Sequence, residues 1–200
     1  KRWLLENQEI KVAVDPTIAP FELRDQNGNM SGVSGSYLNE MAELLNVEFV
    51  WSSSENFNIG LEQIKSEEAY FSSAIIETEE RKKFLTFTDS YISLVNVIFT
   101  REGGEIYGNM DGLYGRTLAQ VKGFATQGFI KNDYPEVNII EVDNIFEALR
   151  LVALGEVDAY IGDIMTSSFY ITDNGLTDII VAGDTPYSTK LSMGVGNQHP

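Results

Sequence analysis

The sequence predicts an α/β protein in two lobes, each a mainly parallel sheet flanked by helices. Three observations carry that prediction. Strand-like and helix-like segments alternate along nearly the whole chain, the Gly103-Gly104 pair breaks the alternation, and the same alternation restarts beyond the break. A chain of 200 residues is long enough for two small lobes and for little more.

The elements follow in order. Trp3–Asn7 reads as the end of a short helix, and Glu9–Val14 sets Ile10, Val12 and Val14 on one face at period two, a first strand that Asp15-Pro16 stops. Phe21–Leu23 and Met30–Val33 form a short hairpin around Asn27-Gly28, a pair that tolerates positive φ. A helix over Ser36–Leu45 is predicted by the spacing of Tyr37, Leu38, Met41, Leu44 and Leu45. Strand Val47–Trp51, helix Ile59–Lys65 and strand Tyr70–Ile75 come next, then a short polar helix from Thr78 and the apolar strand Ile92–Thr100. Beyond the break the reading is strand Thr117–Val121, helix Thr126–Asn132 and strand Val137–Val142. Asn144 caps the clearest helix, with Glu147 at the capping-box position and Gly155 at its end. Strand Ala159–Ile161, helix Met165–Ile171, strand Asp178–Ala182, a loop at Gly183–Ser188 and a last extended run, Lys190–Val195, complete the chain. Lobe one is therefore expected at 1–100 plus 190–200 and lobe two at 104–186, with crossovers near 100–104 and 184–190.

Composition narrows the chemistry. Fourteen Lys and Arg against 30 Asp and Glu give a net charge of −16, whose field repels phosphate backbones, so no nucleic-acid partner is expected. With no cysteine there is no disulfide, thiol catalysis or zinc–thiolate site. The longest apolar stretch, Ile92–Thr100, falls far short of the roughly 20 residues a membrane span needs. Neither a P-loop nor a strand-linked G-x-G-x-x-G occurs. The only histidine, His199, is read as an exposed tail residue, a poor general base or metal ligand. Asp25–Asn29 has the spelling of a calcium loop, but Met30 and Ser36 stand where an EF-hand needs Gly and Glu, so it is read as the hairpin turn. No catalytic group, metal or cofactor is expected.

Two charged residues stand out by position. Arg81 opens a helix after the carboxyl end of a buried strand, the rim where open α/β sheets bind ligands, and a guanidinium there can hold a carboxylate through paired hydrogen bonds. Asp163 follows strand Ala159–Ile161 in the same way; taken alone it reads first as the N-cap of the next helix, and taken with Arg81 as a cation holder opposite an anion holder. Together they suit a zwitterion.

Several segments, in this order and spacing, resemble one known family: IKVAVDPTIAPF at Ile10–Phe21, GNMSGVSG at Gly28–Gly35, TEERKKFLTFTDSY at Thr78–Tyr91, Gly123–Gln127, ALRLVALGEVDAYIGD at Ala148–Asp163 and Met193-Gly194-Val195. The chain is similar over nearly its whole length to the type II periplasmic solute-binding fold, in the amino-acid-binding family 3 of Venus-flytrap domains. The resemblance implies hinge closure on a small ligand, an amino acid or related zwitterion. It implies Arg81 as the grip on the ligand carboxylate and Asp163 as the acceptor of its ammonium. Ile18, Phe21 and Phe57 match the pocket wall of lobe one, although Phe21 and Phe57 read also as core packing. Ser73, Ala74 and Ile76 match the contacting segment of lobe one, and Phe124 and Thr126 the strand-to-helix turn of lobe two. Isoleucine at 18 and 76 and alanine at 125 depart from the usual aromatic and hydroxyl residues. The start KRWLLENQEIKVAVDP resembles the helix preceding the first strand in sensor domains of membrane histidine kinases and diguanylate cyclases, and relatives continue beyond 200 into a further helix. The expected function is thus an extracytoplasmic sensing domain whose partners are the membrane signalling domains of its own parent chain. A stand-alone receptor delivering to an ABC permease is the alternative, and a dehydratase-like enzyme on the same fold stands third.

Overall fold

The computed structural model describes residues 2–52 and 54–199; Lys1 and Pro200, the expected ends of lobe one, and Ser53 lie outside the described residues. The chain divides into two compact units, Lys1–Ile92 with Lys190–Pro200, and Ser93–Thr189.

In the first unit, helix α1 (Arg2–Glu6) leads into strand β1 (Glu9–Ala13), where alternation buries Ile10 and Val12. A two-stranded hairpin of β2 (Leu23–Arg24) and β3 (Met30–Ser31) precedes α2 (Gly32–Leu45). This helix starts four residues before the predicted Ser36. Its first amides are satisfied from outside the helix, Val33 N–H by Pro20 O and Ser34 N–H by Phe21 O, a tertiary substitute for a side-chain cap. Gly32 permits this approach: its φ is +83°, and a Cβ there would lie 2.5 Å from Pro20 O. Strand β4 (Glu48–Trp51), helix α3 (Phe57–Lys65) and strand β5 (Phe71–Ile76) follow. β1 runs parallel between β4 and β5. A 3-10 turn, Arg81–Lys83, and β6 (Leu85–Phe87) come next. The far half of the last strand, β11 (Ile179–Gly196), returns to this unit antiparallel to both β5 and β6. Gly194 lies between them, and a Cβ on it would meet Ile75 at 2.9 Å. One face of the sheet packs Ile10, Val12, Leu38, Phe71 and Met193, and a second cluster holds Ala13, Ile64, Ala69, Ile75 and Leu85. Each fully buried aliphatic side chain contributes about 1.5–3 kcal/mol.

The second unit opens with β7 (Ile92–Arg101), then β8 (Thr117–Val121), α4 (Ala125–Asp133), β9 (Asn138–Val142), α5 (Ile145–Leu154), β10 (Ala159–Asp163) and α6 (Ile164–Asp173). β8 is parallel to β9 and to β10, while β7 is antiparallel to β10. Leu118, Ile130, Ala159, Ile161 and Ala182 form its core. α5 is capped as its sequence predicts: Glu147 N–H donates to Asn144 Oδ1 at 2.9 Å, and Gly155 ends the helix at φ +70°. The Glu147 carboxylate reaches back to Asp143 N–H, one residue before the cap.

Three expectations are corrected. Residues 93–100 belong to the second unit, because β7 pairs with β10 from Asn96 to Phe99; the chain first passes between units at Ile92-Ser93, and Gly103-Gly104 is a turn inside the second unit. Gly183–Ser188 is strand, so β11 is continuous and the second passage falls at Thr189-Lys190. Its Gly, Asp, Pro and Ser spell a turn, yet Thr185, Tyr187 and Thr189 alternate inward, and the Thr185 and Thr189 hydroxyls donate to Asn96 O and Oδ1. His199 is half-buried rather than exposed, its ring 4.5 Å from that of Tyr70 and 6.2 Å from Trp3.

Candidate functional site

In the first unit the parallel strands β1 and β5 end at one edge of the sheet, the edge at which chain reversals leave room for a ligand. The segment after β5 carries Arg81. Thr78 serves as a local cap, its Oγ1 accepting from Arg81 N–H at 3.2 Å. The Arg81 side chain is 7% exposed; its Nη1 donates to Ile76 O at 2.7 Å, and the guanidinium lies 4.6 Å from the centre of the Phe57 ring. Phe57 is held by the first turn of α3, which Asn56 caps through Ile59 N–H. Arg81, Ile76 and Phe57 are thus brought together. Burial pushes the guanidinium down to about 10, with the Glu80 charge acting the other way, so it stays cationic at neutral pH.

Ser73 and Ala74 are buried within β5, and Phe21, at 1% exposure, is packed inside the unit rather than presented as a wall. Ile18 is half-buried in the turn after β1, its carbonyl accepting from Phe21 N–H. The Ser73 hydroxyl donates to Glu22 Oε1, and Glu22 Oε2 accepts from the backbone N–H of Asp15. Behind them, the Tyr91 hydroxyl donates to Ser73 O at 2.9 Å and lies 3.1 Å from Ser34 Oγ. Asp15 and Glu22 were not singled out from the sequence, where Asp15 reads as a strand stop. The available signal was an acid at the carboxyl end of a buried strand and a second acid following the apolar Ala19-Pro20-Phe21. Both are almost wholly buried, 3% and 1% exposed, and burial pushes both carboxyls up, Glu22 to about 8.

In the second unit the neighbouring parallel strands β8 and β10 likewise end side by side. After β8, Gly123 turns the chain at φ +82° and Phe124 occupies the N-cap position of α4 in extended backbone. Gln127 braces this turn: its Oε1 accepts from Gly123 N–H and its Nε2 donates to Glu141. Phe124 is half-buried, and Thr126 is buried in the first turn of the helix. After β10, Asp163 is the N-cap of α6, accepting from Thr166 N–H at 2.8 Å. Its carboxyl is raised by burial, and bonds from Thr166 and Met165 pull the other way. Asp163 therefore is a cap, and the cap fixes its orientation. The three residues share one sheet edge with two helix N-termini, a setting that favours anionic groups near the amides.

Charged groups at the ends of parallel strands in an α/β unit suit the binding of small ligands. Residues 10–183 match the model of the bacterial extracellular solute-binding proteins, family 3, and the chain belongs to that family. It is 28% identical over 171 residues to the virulence sensor protein BvgS of Bordetella pertussis, covering 86% of this chain and 14% of BvgS. It is 23% identical over 197 residues to the lysine/arginine/ornithine-binding periplasmic protein of Escherichia coli strain K12, covering 94% of this chain and 75% of that one. The crystal structure of the periplasmic VFT2 domain of B. pertussis BvgS shares the fold, with a TM-score of 0.88 at 24% identity over 99% of this chain and 85% of that one. The chain spans about one-seventh of the length of BvgS. Among the described residues no helix is long and apolar enough to cross a membrane.

Proposed function

We propose that this chain is an extracytoplasmic ligand-sensing domain of a membrane signalling protein, that it binds an amino acid or related zwitterion without turning it over, and that it signals by Venus-flytrap closure. The reading is supported by family membership, by likeness to a sensor protein of which the chain matches one portion, and above all by Arg81. A guanidinium buried at the strand-end rim, oriented by Ile76 O and stacked on Phe57, is preset to receive a carboxylate in paired hydrogen bonds. In this reading Asp163 accepts the ligand ammonium, Phe124 and Thr126 complete the second unit's contribution, and Ile18, Phe57 and Ile76 set an apolar environment for the side chain. The ligand shifts the domain between conformations only by its differential affinity for them.

The reading is tested by thermal shift of the domain against the standard amino acids and their des-amino and decarboxylated analogues. A ligand at 100 times its dissociation constant adds about 2.7 kcal/mol, easily seen. Stabilisation by amino acids and not by analogues lacking a charged pole is expected; indifference to all of them sinks the proposal. A stand-alone importer receptor is the second reading, favoured by the match to three-quarters of the length of the lysine/arginine/ornithine-binding protein. A membrane span with kinase or cyclase domains in the same gene separates the first from the second.

A further inference from the structure

The second unit carries a row of aromatic rings away from its strand ends. Tyr114 comes just before β8, and Tyr134 is the C-cap of α4, so both lie at the end of the unit opposite the Gly123–Thr126 turn. Tyr134 and Tyr187 lay part of their surface on the core, against the cluster that holds Ile98, Leu118 and Ile130. Two further rings ride on them: Tyr114 lies 6.1 Å from Tyr134, and Phe129 stacks on Tyr187 at 5.9 Å. These outer rings are 48% and 36% exposed. Apolar residues exposed singly are ordinary, whereas rings gathered in contact mark an interaction surface.

Each tyrosine of the row has an acid beside it. Tyr114 N–H donates to Asp111 O, and Glu136 lies in the turn closed by Val137 N–H on Tyr134 O. The Tyr187 hydroxyl donates to Asp133 Oδ2 at 3.1 Å. Partial burial pushes the Tyr114 phenol up, and the charges of Asp111 and Glu136, both close enough to act on it, push the same way. The Tyr187 phenol is pushed up by burial first, then by Asp133, with Tyr134 adding the smallest push, so these tyrosines and acids form one group. Among the described residues none of the three acids makes an ion pair. The cations nearest in sequence are already engaged, Arg116 with Glu105 and Lys131 with Glu141.

Aromatic faces rimmed by uncompensated carboxylates complement one chemistry. A guanidinium is planar, stacks on rings, gives paired N–H groups to carboxylates, and is more weakly hydrated than an ammonium. An acidic partner would be repelled, and a purely aliphatic one would bury the acids unpaired. Tyrosine and arginine are also the residues enriched at the centres of protein interfaces.

We propose that this face of the second unit, the four rings with Asp111, Asp133 and Glu136, is a docking surface for a protein segment that presents arginine side chains. The guanidinium groups lie over the exposed rings, and the acids hold them from the rim. The surface is independent of the ligand assigned to Arg81 and Asp163.

Titration calorimetry of the domain with three short peptides of equal length tests this: arginine alternating with glycine, and the same peptide with lysine or with citrulline in place of arginine. The arginine peptide should bind more tightly than the lysine peptide, and the citrulline peptide, which keeps the planar group without the charge, most weakly. This comparison uses the wild-type domain and needs no variant to fold. Tyr114→Leu and Phe129→Leu keep apolar bulk but lose the ring, and each should weaken the arginine peptide about twofold to fivefold. Asp111→Asn combined with Glu136→Gln should weaken it about threefold to tenfold and flatten its salt dependence. Glu40→Gln combined with Glu43→Gln on α2 removes the same charge from the first unit and should leave affinity nearly unchanged, which separates docking from general attraction to a chain of net charge −16. Equal affinity for the arginine and lysine peptides, or equal losses in the two double variants, overturns the proposal. So does an arginine peptide that fails to bind at millimolar concentration.

Discussion

The two units meet the same problem with different chemistry. At its strand ends the first unit gathers side-chain charge taken out of water: Arg81 against Ile76 O and Phe57, and Asp15 with Glu22 and Ser73. The second unit uses backbone, with two helix N-termini following β8 and β10, one opened by Gly123-Phe124 and the other capped by Asp163. Buried charge is costly and specific, and losing its complement is felt strongly; a helix terminus is a diffuse partial charge worth a few tenths to about 1 kcal/mol. Substitutions that remove charge should therefore weaken binding more in the first unit than in the second.

Arg81→Ala carries the largest expected effect. Charged hydrogen bonds contribute about 1.5–3 kcal/mol each, so titration calorimetry should show amino-acid affinity falling by about tenfold to well over a hundredfold, while circular dichroism shows an unchanged fold. Arg81→Lys keeps the charge but loses the fork and the stacking surface, and should recover little. Undiminished affinity in the alanine variant refutes the anchor.

The next effect separates the units by pH. Glu22 has a folded-state value near 8 against about 4.5 in the unfolded chain, so between these pH values the folded state holds a proton that the unfolded state does not. Stability contributed by this group is fully present below about pH 4.5 and is lost as pH rises toward 8, at up to about 1.4 kcal/mol per pH unit. Asp15 is shifted in the same direction and adds to the trend. Melting temperatures recorded from pH 5 to 8.5 should fall for the wild type and fall less steeply for Glu22→Gln, in which only the Asp15 contribution remains. A wild-type curve that rises over this range contradicts the buried acid.

This contrast also explains what was legible beforehand. Elements with their own signals were readable: the Asn144 cap and Gly155 stop of α5, and the period-two burial of β1. The N-cap role of Asp163 was readable from its place between a buried strand and a helical pattern. The start of α2 was hidden because its caps are carbonyls of Pro20 and Phe21, which no local pattern encodes. β11 was hidden because Asp184, Pro186 and Ser188 spell a turn while the neighbouring β7 makes them the outer face of a strand. Asp15 and Glu22 were missed for the same reason: seven positions apart, they meet only once the turn after β1 is folded.

Asp163 tests whether cap and ligand roles are separable. Asparagine caps a helix about as well as aspartate, so Asp163→Asn should leave unfolding stability almost unchanged yet weaken amino acids more than simple carboxylates. Asp163→Ala should do both, losing about 1 kcal/mol of stability in addition. Equal loss of both ligand types in Asp163→Asn would count against the ammonium role and leave Asp163 a cap alone.

The smallest effect isolates scaffold from site within the second unit. Asn144 caps α5 through Glu147 N–H at 2.9 Å, and α5 supplies none of the ligand contacts proposed here. Asn144→Ala should cost about 1 kcal/mol in chemical denaturation, the ordinary value of a lost N-cap, with ligand affinity unchanged in calorimetry. The backbone of β8 and β10, not the stability of the unit at large, sets the two helix termini at the strand ends, so a modest loss of stability should not reach them. If affinity nonetheless falls with stability in Asn144→Ala, the second unit acts on the ligand through its global order, and the assignment of its role to Phe124, Thr126 and Asp163 gives way.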